Sequence, residues 1–149
     1  MDENKRWDFF IAHASQDASE IAKPLSDALN AKGPMSWYAD YSLKAGDKIG
    51  PLIDFGLARS RFGIVILSKQ FLGLRWPQNE LNDLAVRGVD GKKVILPVWH
   101  KVGFRDVYDS SPILADRVAI STEKGLEYVV RRLWDIARQP SGLDGIGGS

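Results

Sequence analysis

Short continuous apolar runs alternate along the chain with stretches in which apolar residues recur every three or four positions. The runs are typical of buried strands, and the spaced stretches are typical of helices that bury one face. Five strands are predicted, at residues 7–12, 35–38, 62–67, 93–99 and 117–121. Helices are predicted around the apolar positions of residues 21–29, 52–57, 81–85 and 126–137, and residues 104–114 are expected to be irregular or weakly helical.

Residues at the predicted helix ends carry recognisable start and stop signals. Asp17 with Glu20 three positions later resembles a capping box, and Gly33-Pro34 is expected to end the same helix. The second helix is expected to start near Gly50-Pro51. Pro77 suits the first position of the third helix, which is expected to end near Gly88, because its fixed φ fits there and its missing N–H would be unpaired anyway.

The alternation of five strands with helices predicts an α/β fold with one doubly wound, five-stranded parallel sheet, since the crossovers are right-handed. In such sheets ligands bind outside the carboxyl ends of the strands. The turn at residues 13–17, the polar loop at residues 39–50, residues 76–80 and Trp99 are all expected at that edge. The loop is long for a strand-to-helix connection, and such loops are often functional.

Trp76 and Glu80 are four positions apart, so on a helix they stack on one face, beside the apolar stripe of Leu81 and Leu84. An aromatic plate and a carboxylate are therefore predicted together at a helix N-terminus, at the rim of the core. A carboxylate in that position also interacts favourably with the helix dipole, which is its simplest alternative explanation.

Composition narrows the picture to a single globular domain. The chain has 149 residues, of which 44% are apolar and 26% charged, and its net charge of +1 argues against a nucleic-acid or membrane partner. No cysteine is present, which excludes disulfides and thiolate metal sites and favours a reducing, cytoplasmic location. No apolar run approaches the roughly 20 residues that span a bilayer. Residues 1–138 are expected to form the domain, and residues 139–149 a flexible Gly/Ser-rich tail.

Several common motifs are absent. No Gly-x-Gly-x-x-Gly follows the first strand, and residues 88–93 have the wrong spacing for a phosphate-binding Walker loop. His13, Ser15 and Asp17 lie within one turn, whereas hydrolase triads gather from distant segments. No clustered carboxylates accompany the two histidines, so no metal site is predicted. A phospho-receiver domain would need paired acids after the first strand and an aspartate after the third.

Five stretches of the chain resemble Toll/interleukin receptor (TIR) domains. The first is Trp-Asp-Phe-Phe-Ile-Ala-His-Ala-Ser at residues 7–15, and the second, at residues 37–47, is similar to the second box of the family and its BB loop. The third strand followed by Trp76-x-x-x-Glu80-Leu81 matches the family pattern. Residues 93–100 and 111–116 are similar to bacterial members in particular. The resemblance covers residues 6–138, with the motifs in order.

This resemblance implies a flavodoxin-like fold and, in the bacterial branch, cleavage of NAD⁺ at the nicotinamide–ribose bond, with a role in defence or signalling. NAD⁺ is then the substrate, and no cofactor or metal is expected. Glu80 is the expected catalytic residue. The expected substrate-binding residues are Trp76, Ala14, Ser15, Asn79 and Trp99. The expected self-association loop, which would contact other TIR domains on activation, contains Tyr41, Leu43, Lys44, Gly46 and Asp47.

Nicotinamide is a positively charged leaving group in NAD⁺, so its departure needs no protonation, and one carboxylate can suffice where glycosidases use two. Such a carboxylate stabilises the oxocarbenium that develops on the ribose. The residues also allow plainer readings: Trp76 and Trp99 as core, Ser15 as an ordinary helix cap, and the charged loop residues as solvated side chains. The chain departs from the family at Ala39, where an acid is usual, and at Gly50-Pro51.

Two interpretations of function follow. The first is an enzyme that releases nicotinamide from NAD⁺ and yields linear or cyclic ADP-ribose, activated by self-association through the loop. The second is a non-catalytic scaffold that pairs with other TIR domains, which the departures at Ala39 and Gly50-Pro51 favour. A receptor for some other small molecule is a third possibility.

Overall fold

The computed structural model describes residues 7–32, 36–86, 94–117 and 119–138, with backbone only for residues 36–41 and 94. The strands are β1 Trp7–Ala14, β2 Ser36–Leu43, β3 Ser60–Leu67, β4 Val94–Trp99 and β5 Ile120–Ser121. The helices are α1 Lys23–Lys32, α2 Ile49–Leu57, α3 Lys69–Leu72, α4 Gln78–Val86, α5 Phe104–Ser110, α6 Pro112–Ala115 and α7 Leu126–Arg138. A 3₁₀ turn and a π-helical turn, Ser15–Asp17 and Ala18–Ala22, lead into α1.

The five strands form one parallel sheet in the order β2-β1-β3-β4-β5. This confirms the predicted α/β architecture with a doubly wound five-stranded sheet. The strand order reverses between β1 and β3, so the carboxyl ends of these two strands flank the crevice where sheets of this kind bind ligands.

Each face of the sheet is covered by helices that bury a separate apolar cluster. On one face, α2, α3, α4, α5 and α6 pack over Phe10, Ala12, Val65 and Leu67. On the other face, α1 and α7 pack over Phe9, Ile11, Ile64 and Ile66. The alternation of strand side chains between the two faces explains why the strands read as continuous apolar runs.

The ring of Phe10 packs closely against two glycines, Gly56 and Gly63, where any side chain would clash with it. A Cβ atom at Gly56 of α2 would lie 2.5 Å from the ring, and one at Gly63 of β3 would lie 2.7 Å from it. Both glycines are therefore required by close packing on the first face of the sheet.

The largest difference from the predicted elements is in β2, which runs to Leu43 and shortens the polar loop to residues 44–48. The paired residues Ala12 and Tyr41, then His13 and Ser42, then Ala14 and Leu43, continue the parallel ladder past the predicted end of both strands. Because β2 lies at the edge of the sheet, polar residues are tolerated there, and the alternation of apolar side chains is weak.

The predicted capping box at Asp17 and Glu20 is wrong. The Asp17 side chain makes no capping hydrogen bond, since it is buried against Ser68. The prediction for residues 104–114 is also wrong in part, because they form α5 and α6. The short helix α3, capped by the Ser68 hydroxyl, was not predicted.

Other helix ends agree with the predictions to within a residue or two. Pro77 lies just before α4, and its carbonyl oxygen accepts hydrogen bonds from the backbone N–H groups of Glu80 and Leu81. Gly50 and Pro51 do not interrupt α2; they lie in its first turn, where a missing N–H costs no hydrogen bond. The predicted helix stops at Gly33-Pro34 and Gly88, and the tail of residues 139–149, lie outside the described residues.

None of the helices in the described ranges is long and apolar enough to cross a membrane.

Arg117 joins the two layers around β4. Its guanidinium donates to the carbonyl oxygen of Ala85 at the end of α4 and to that of Ile95 in β4, both at 2.8 Å, and burial lowers the pKa of Arg117 from its ordinary value. We expect Arg117→Ala to lower the free energy of unfolding by about 1.5 kcal/mol, because two carbonyl groups lose a charged donor. Urea unfolding measures the loss, and a change no larger than that of Arg105→Ala, an exposed site, would contradict it.

Candidate active site at the carboxyl edge of the sheet

Glu80 lies in the first turn of α4 and is half-buried. Its Oε1 accepts a hydrogen bond of 2.7 Å from the backbone N–H of Ile49, the first residue of α2. α2 follows the loop after β2, so this contact joins α4 to the loop edge. Within the described residues the second carboxylate oxygen of Glu80 has no hydrogen-bond donor that would compete with a ligand.

Trp76 packs at the edge of the core and is only 8% exposed. Its indole N–H donates to the carbonyl oxygen of Phe71 at 3.0 Å, and the two ring centroids lie 5.3 Å apart. Arg75, immediately before it, has a left-handed backbone with φ of 60°. A non-glycine residue in that region carries strain, which is held here by the packing of Trp76. The contacts of Trp76 in this structure are those of a core residue.

Residues after β1 and β3 meet across the crevice. Asp17 is buried, and its carboxylate accepts a hydrogen bond from the hydroxyl of Ser68. The same hydroxyl accepts a hydrogen bond from the backbone N–H of Phe71. Asp17 is thereby linked through Ser68 to Phe71, whose carbonyl holds Trp76. Sequence spacing gave no signal for this link, because 51 residues separate Asp17 from Ser68.

The two predicted phosphate-contact residues lie at the end of β1. Ala14 is the last residue of the strand and is buried, whereas Ser15 begins the following 3₁₀ turn and is exposed. The side chain of Ser15 makes no capping hydrogen bond there, since the capping position belongs to Ala14.

The predicted self-association loop is a closed turn. The backbone N–H of Lys44 donates to the Asp47 carboxylate at 2.8 Å, and the backbone N–H of Asp47 donates to the carbonyl of Lys44 at 3.0 Å. Gly46 has φ of +91°, a conformation that glycine adopts without strain. Leu43 before the turn is buried, Lys44 is exposed, and the side chain of Tyr41 lies outside the description.

Trp99 is the last residue of β4 and packs, partly buried, against the apolar cluster of the first face. Within the described part of the chain its indole N–H has no hydrogen-bond partner. Asn79 lies in the first turn of α4 and is exposed.

One apolar cluster brings most of these segments together. It contains Ala14, Leu43, Ile49 and Trp76, with Trp99 packed against it. Glu80 joins it through Ile49. The four segments predicted to meet at the carboxyl edge of the sheet therefore share one face.

A polar network on the opposite face was not predicted. The two ring nitrogens of His100 lie 2.9 Å from the Thr122 hydroxyl and 3.2 Å from the Glu20 carboxylate, and Lys101 contacts the same oxygen of Glu20. These side chains line a cavity of about 580 Å³, whose apolar wall includes Ile21 and Leu126. Since Glu20 and His100 are 80 residues apart, the sequence offers no local signal for the pairing.

The hydrogen bonds from Lys101 and His100 hold the pKa of Glu20 below its ordinary value of 4.5. A carboxylate with a lowered pKa stabilises the folded state above its ordinary pKa, and this stabilisation is lost as the pH falls through the folded-state value. We therefore expect Glu20→Gln to lower the melting temperature at pH 7, by an amount that shrinks when the pH falls below 4.5. Thermal unfolding across this range tests it, with Glu127→Gln on α7 as the control. A difference that does not depend on pH would refute it.

The parts of the chain that the structure describes contain no cluster of three or more His, Asp or Glu side chains that could hold a metal ion.

Comparison with known proteins identifies the family. The family model for the TIR domain matches residues 9–135. The chain belongs to the TIR domain family. Two of the stretches that resemble the family, at residues 7–15 and at the third strand, lie on either side of the crevice of this TIR domain.

Two relatives are similar over most of this TIR domain. It is 45% identical over 141 residues to the "NAD(+) hydrolase TcpA" of a Theionarchaea archaeon, which covers 95% of this chain and 43% of that protein. It is 41% identical over 131 residues to the "2' cyclic ADP-D-ribose synthase AbTIR" of Acinetobacter baumannii, covering 87% of this chain and 49% of that protein. The chain thus spans less than half the length of these relatives.

The fold is also similar to a solved structure of TIR domains, that of the activated Roq1 resistosome directly recognising the pathogen effector XopQ. The TM-score is 0.60 with 17% sequence identity, over 87% of this chain and 98% of that chain. At this identity the likeness concerns the fold alone.

Proposed function

We propose that this TIR domain cleaves NAD⁺ at the nicotinamide–ribose bond and that Glu80 is its catalytic carboxylate. The observation that carries the proposal is the position of Glu80, half-buried at the carboxyl edge of the sheet, in a chain 41–45% identical to proteins named for NAD⁺ hydrolysis and cyclic ADP-ribose synthesis. NAD⁺ is the substrate, the products are nicotinamide and linear or cyclic ADP-ribose, and no cofactor is needed.

The chemistry requires a fixed negative charge beside the ribose. As nicotinamide leaves, positive charge moves from its ring to the ribose oxocarbenium, and a carboxylate at that point stabilises the transition state more than the ground state. Glu80 suits this role because one oxygen is held by the Ile49 N–H and the other remains for the sugar. Water, or a hydroxyl group of the same substrate, then attacks the anomeric carbon, which gives the linear or the cyclic product.

The surrounding residues supply binding surfaces for the rest of the dinucleotide. In this proposal the backbone at Ala14 and Ser15 binds a phosphate, and Asn79 and Trp99 contact the substrate from α4 and β4. Trp76, whose ring is tilted against that of Phe71, would border the substrate with its exposed edge.

Activation by self-association is part of the proposal. The exposed turn at Lys44–Asp47 would contact a second TIR domain, as a homo-oligomer or filament, and residues 1–138 would be the unit that assembles. The turn ends two residues before Ile49, so a change in its position is transmitted to Glu80 through a single hydrogen bond. A cytoplasmic location and a role in bacterial defence or signalling remain predictions.

The test is to incubate the purified domain with NAD⁺ at increasing protein concentration and to measure nicotinamide by chromatography. We expect nicotinamide release with a rate per molecule that rises with protein concentration, because assembly activates the enzyme. No release at any concentration, also on a crowding surface, would refute the proposed activity. A constant rate per molecule would refute only activation by self-association.

A second candidate function is a TIR–TIR interaction scaffold without useful catalysis. The observations that favour it are the buried indole of Trp76 and the use of a Glu80 oxygen as a cap for α2. In both cases a group expected to act on the substrate is at least partly engaged by the protein itself. This function predicts assembly, measured by light scattering, that Lys44→Ala or Asp47→Ala weakens, together with no loss of NAD⁺; unchanged assembly in both variants would refute its loop-mediated form.

A further inference from the structure

We propose that the backbone N–H of Ile49 is a positioning group for the Glu80 carboxylate, which it orients for NAD⁺ cleavage. The inference rests on the proposed function, in which Glu80 is the catalytic group. It concerns a main-chain donor 31 residues away from Glu80 in sequence, at the point where the Lys44–Lys48 loop becomes α2.

The N-terminus of α2 has no cap of its own, which explains why it takes one from α4. Lys48, at the capping position, has an extended backbone and makes no side-chain hydrogen bond to the helix, and the first turn of α2 contains no acidic residue. Ser, Thr, Asp or Asn would normally fill that position. The first N–H of α2 instead donates to Glu80 Oε1 at 2.7 Å.

This contact restricts the carboxylate in a way that suits catalysis. A hydrogen bond between an N–H at a helix start and a carboxylate is charge-assisted, so it is short and holds one oxygen in place. Rotation about the last side-chain bond is then restricted, and the other oxygen faces a defined direction. Groups that act on a transition state must be held to within about half an ångström, and hydrogen bonds from supporting groups commonly provide this.

The site of the contact also links the carboxylate to the loop. Leu43 and Ile49 are both buried, so the two ends of the Lys44–Lys48 loop are fixed while its centre is exposed. Displacement of the loop that moves Ile49 would therefore turn the Glu80 carboxylate as well.

The test removes the N–H donor with Ile49→Pro. Proline is well tolerated at the first position of a helix, and Lys48 already has φ of −105° and ψ of 126°, which is the conformation that a residue before proline prefers. We expect kcat for nicotinamide release to fall about tenfold to a hundredfold with KM little changed, because a hydrogen bond to a charged group is lost. Ile49→Ala is the control, since it removes more of the buried side chain but keeps the N–H.

If the N–H acts only as a helix cap, kcat will follow thermal stability, and Ile49→Ala will lose at least as much activity as Ile49→Pro. That outcome overturns the inference, as does wild-type kcat in Ile49→Pro. An ester in place of the Lys48–Ile49 amide, which deletes the N–H and keeps the isoleucine, gives the same readout if the proline variant does not fold. A wild type that releases no nicotinamide refutes the proposed function itself, which distinguishes the two failures.

Discussion

Replacing Glu80 by glutamine is expected to lower the rate of nicotinamide release by about 10²–10³-fold while the fold is kept, because the transition state loses the negative charge that stabilises it in the proposed mechanism. Glutamine has the shape of glutamate, and its carbonyl oxygen can still accept the hydrogen bond from the Ile49 N–H. The helix cap therefore persists when the charge is removed. Steady-state release of nicotinamide and thermal unfolding, measured on the same preparation, separate catalysis from stability.

Asp83→Asn is the matched control for this experiment. Asp83 lies on α4, three positions after Glu80, and is exposed, so the substitution removes one negative charge from the same helix without reaching the crevice. We expect a rate close to that of wild type. Equal nicotinamide release by wild type and Glu80→Gln would show that Glu80 is not catalytic. An equal loss of rate in Asp83→Asn would show that the rate depends on the overall charge of α4 and not on one specific carboxylate.

The fold was predictable from sequence because its strands are buried on both faces. Continuous apolar runs at β1, β3 and β4 leave few alternatives to a parallel sheet covered by helices. β2 was predicted too short, since Asp40 and Ser42 lie in an edge strand whose ladder depends on pairing with β1, which is a non-local interaction. Capping of α1 by Asp17 was also predicted wrongly because of a non-local interaction. The local spacing indicated a cap, but the Asp17 side chain is hydrogen-bonded to Ser68 and cannot cap the helix.

Local features of the candidate site were also easier to predict from the sequence than the contacts between distant segments. The four-residue spacing predicted Trp76 and Glu80 on one helix face, and this is wrong for Trp76, which lies two residues before α4; only Glu80 is in the first turn of the helix. The partners of these residues follow from topology: Ile49 for Glu80, and Phe71 for the indole N–H of Trp76. The network of Glu20, His100 and Thr122 joins residues that are far apart in sequence, and no periodic pattern in the sequence predicts it.

Gly63→Val is expected to destabilise the domain by about 3 kcal/mol, because overpacking of a close-packed core costs 1–3 kcal/mol and occasionally more. Even a single Cβ at this position would lie 2.7 Å from the Phe10 ring and 3.1 Å from the Ile95 side chain. Valine adds two further methyl groups in a strand paired on both sides, so the backbone cannot move away. Urea unfolding with the midpoint and slope fitted together measures the loss.

The cause is tested by a double-mutant cycle with Phe10→Leu. If the clash with the ring is responsible, Phe10→Leu leaves space that the valine fills, and the double variant will be more stable than the sum of the two single effects predicts, by about 1 kcal/mol. Strict additivity would show that the clash with the Phe10 ring is not the cause of the destabilisation.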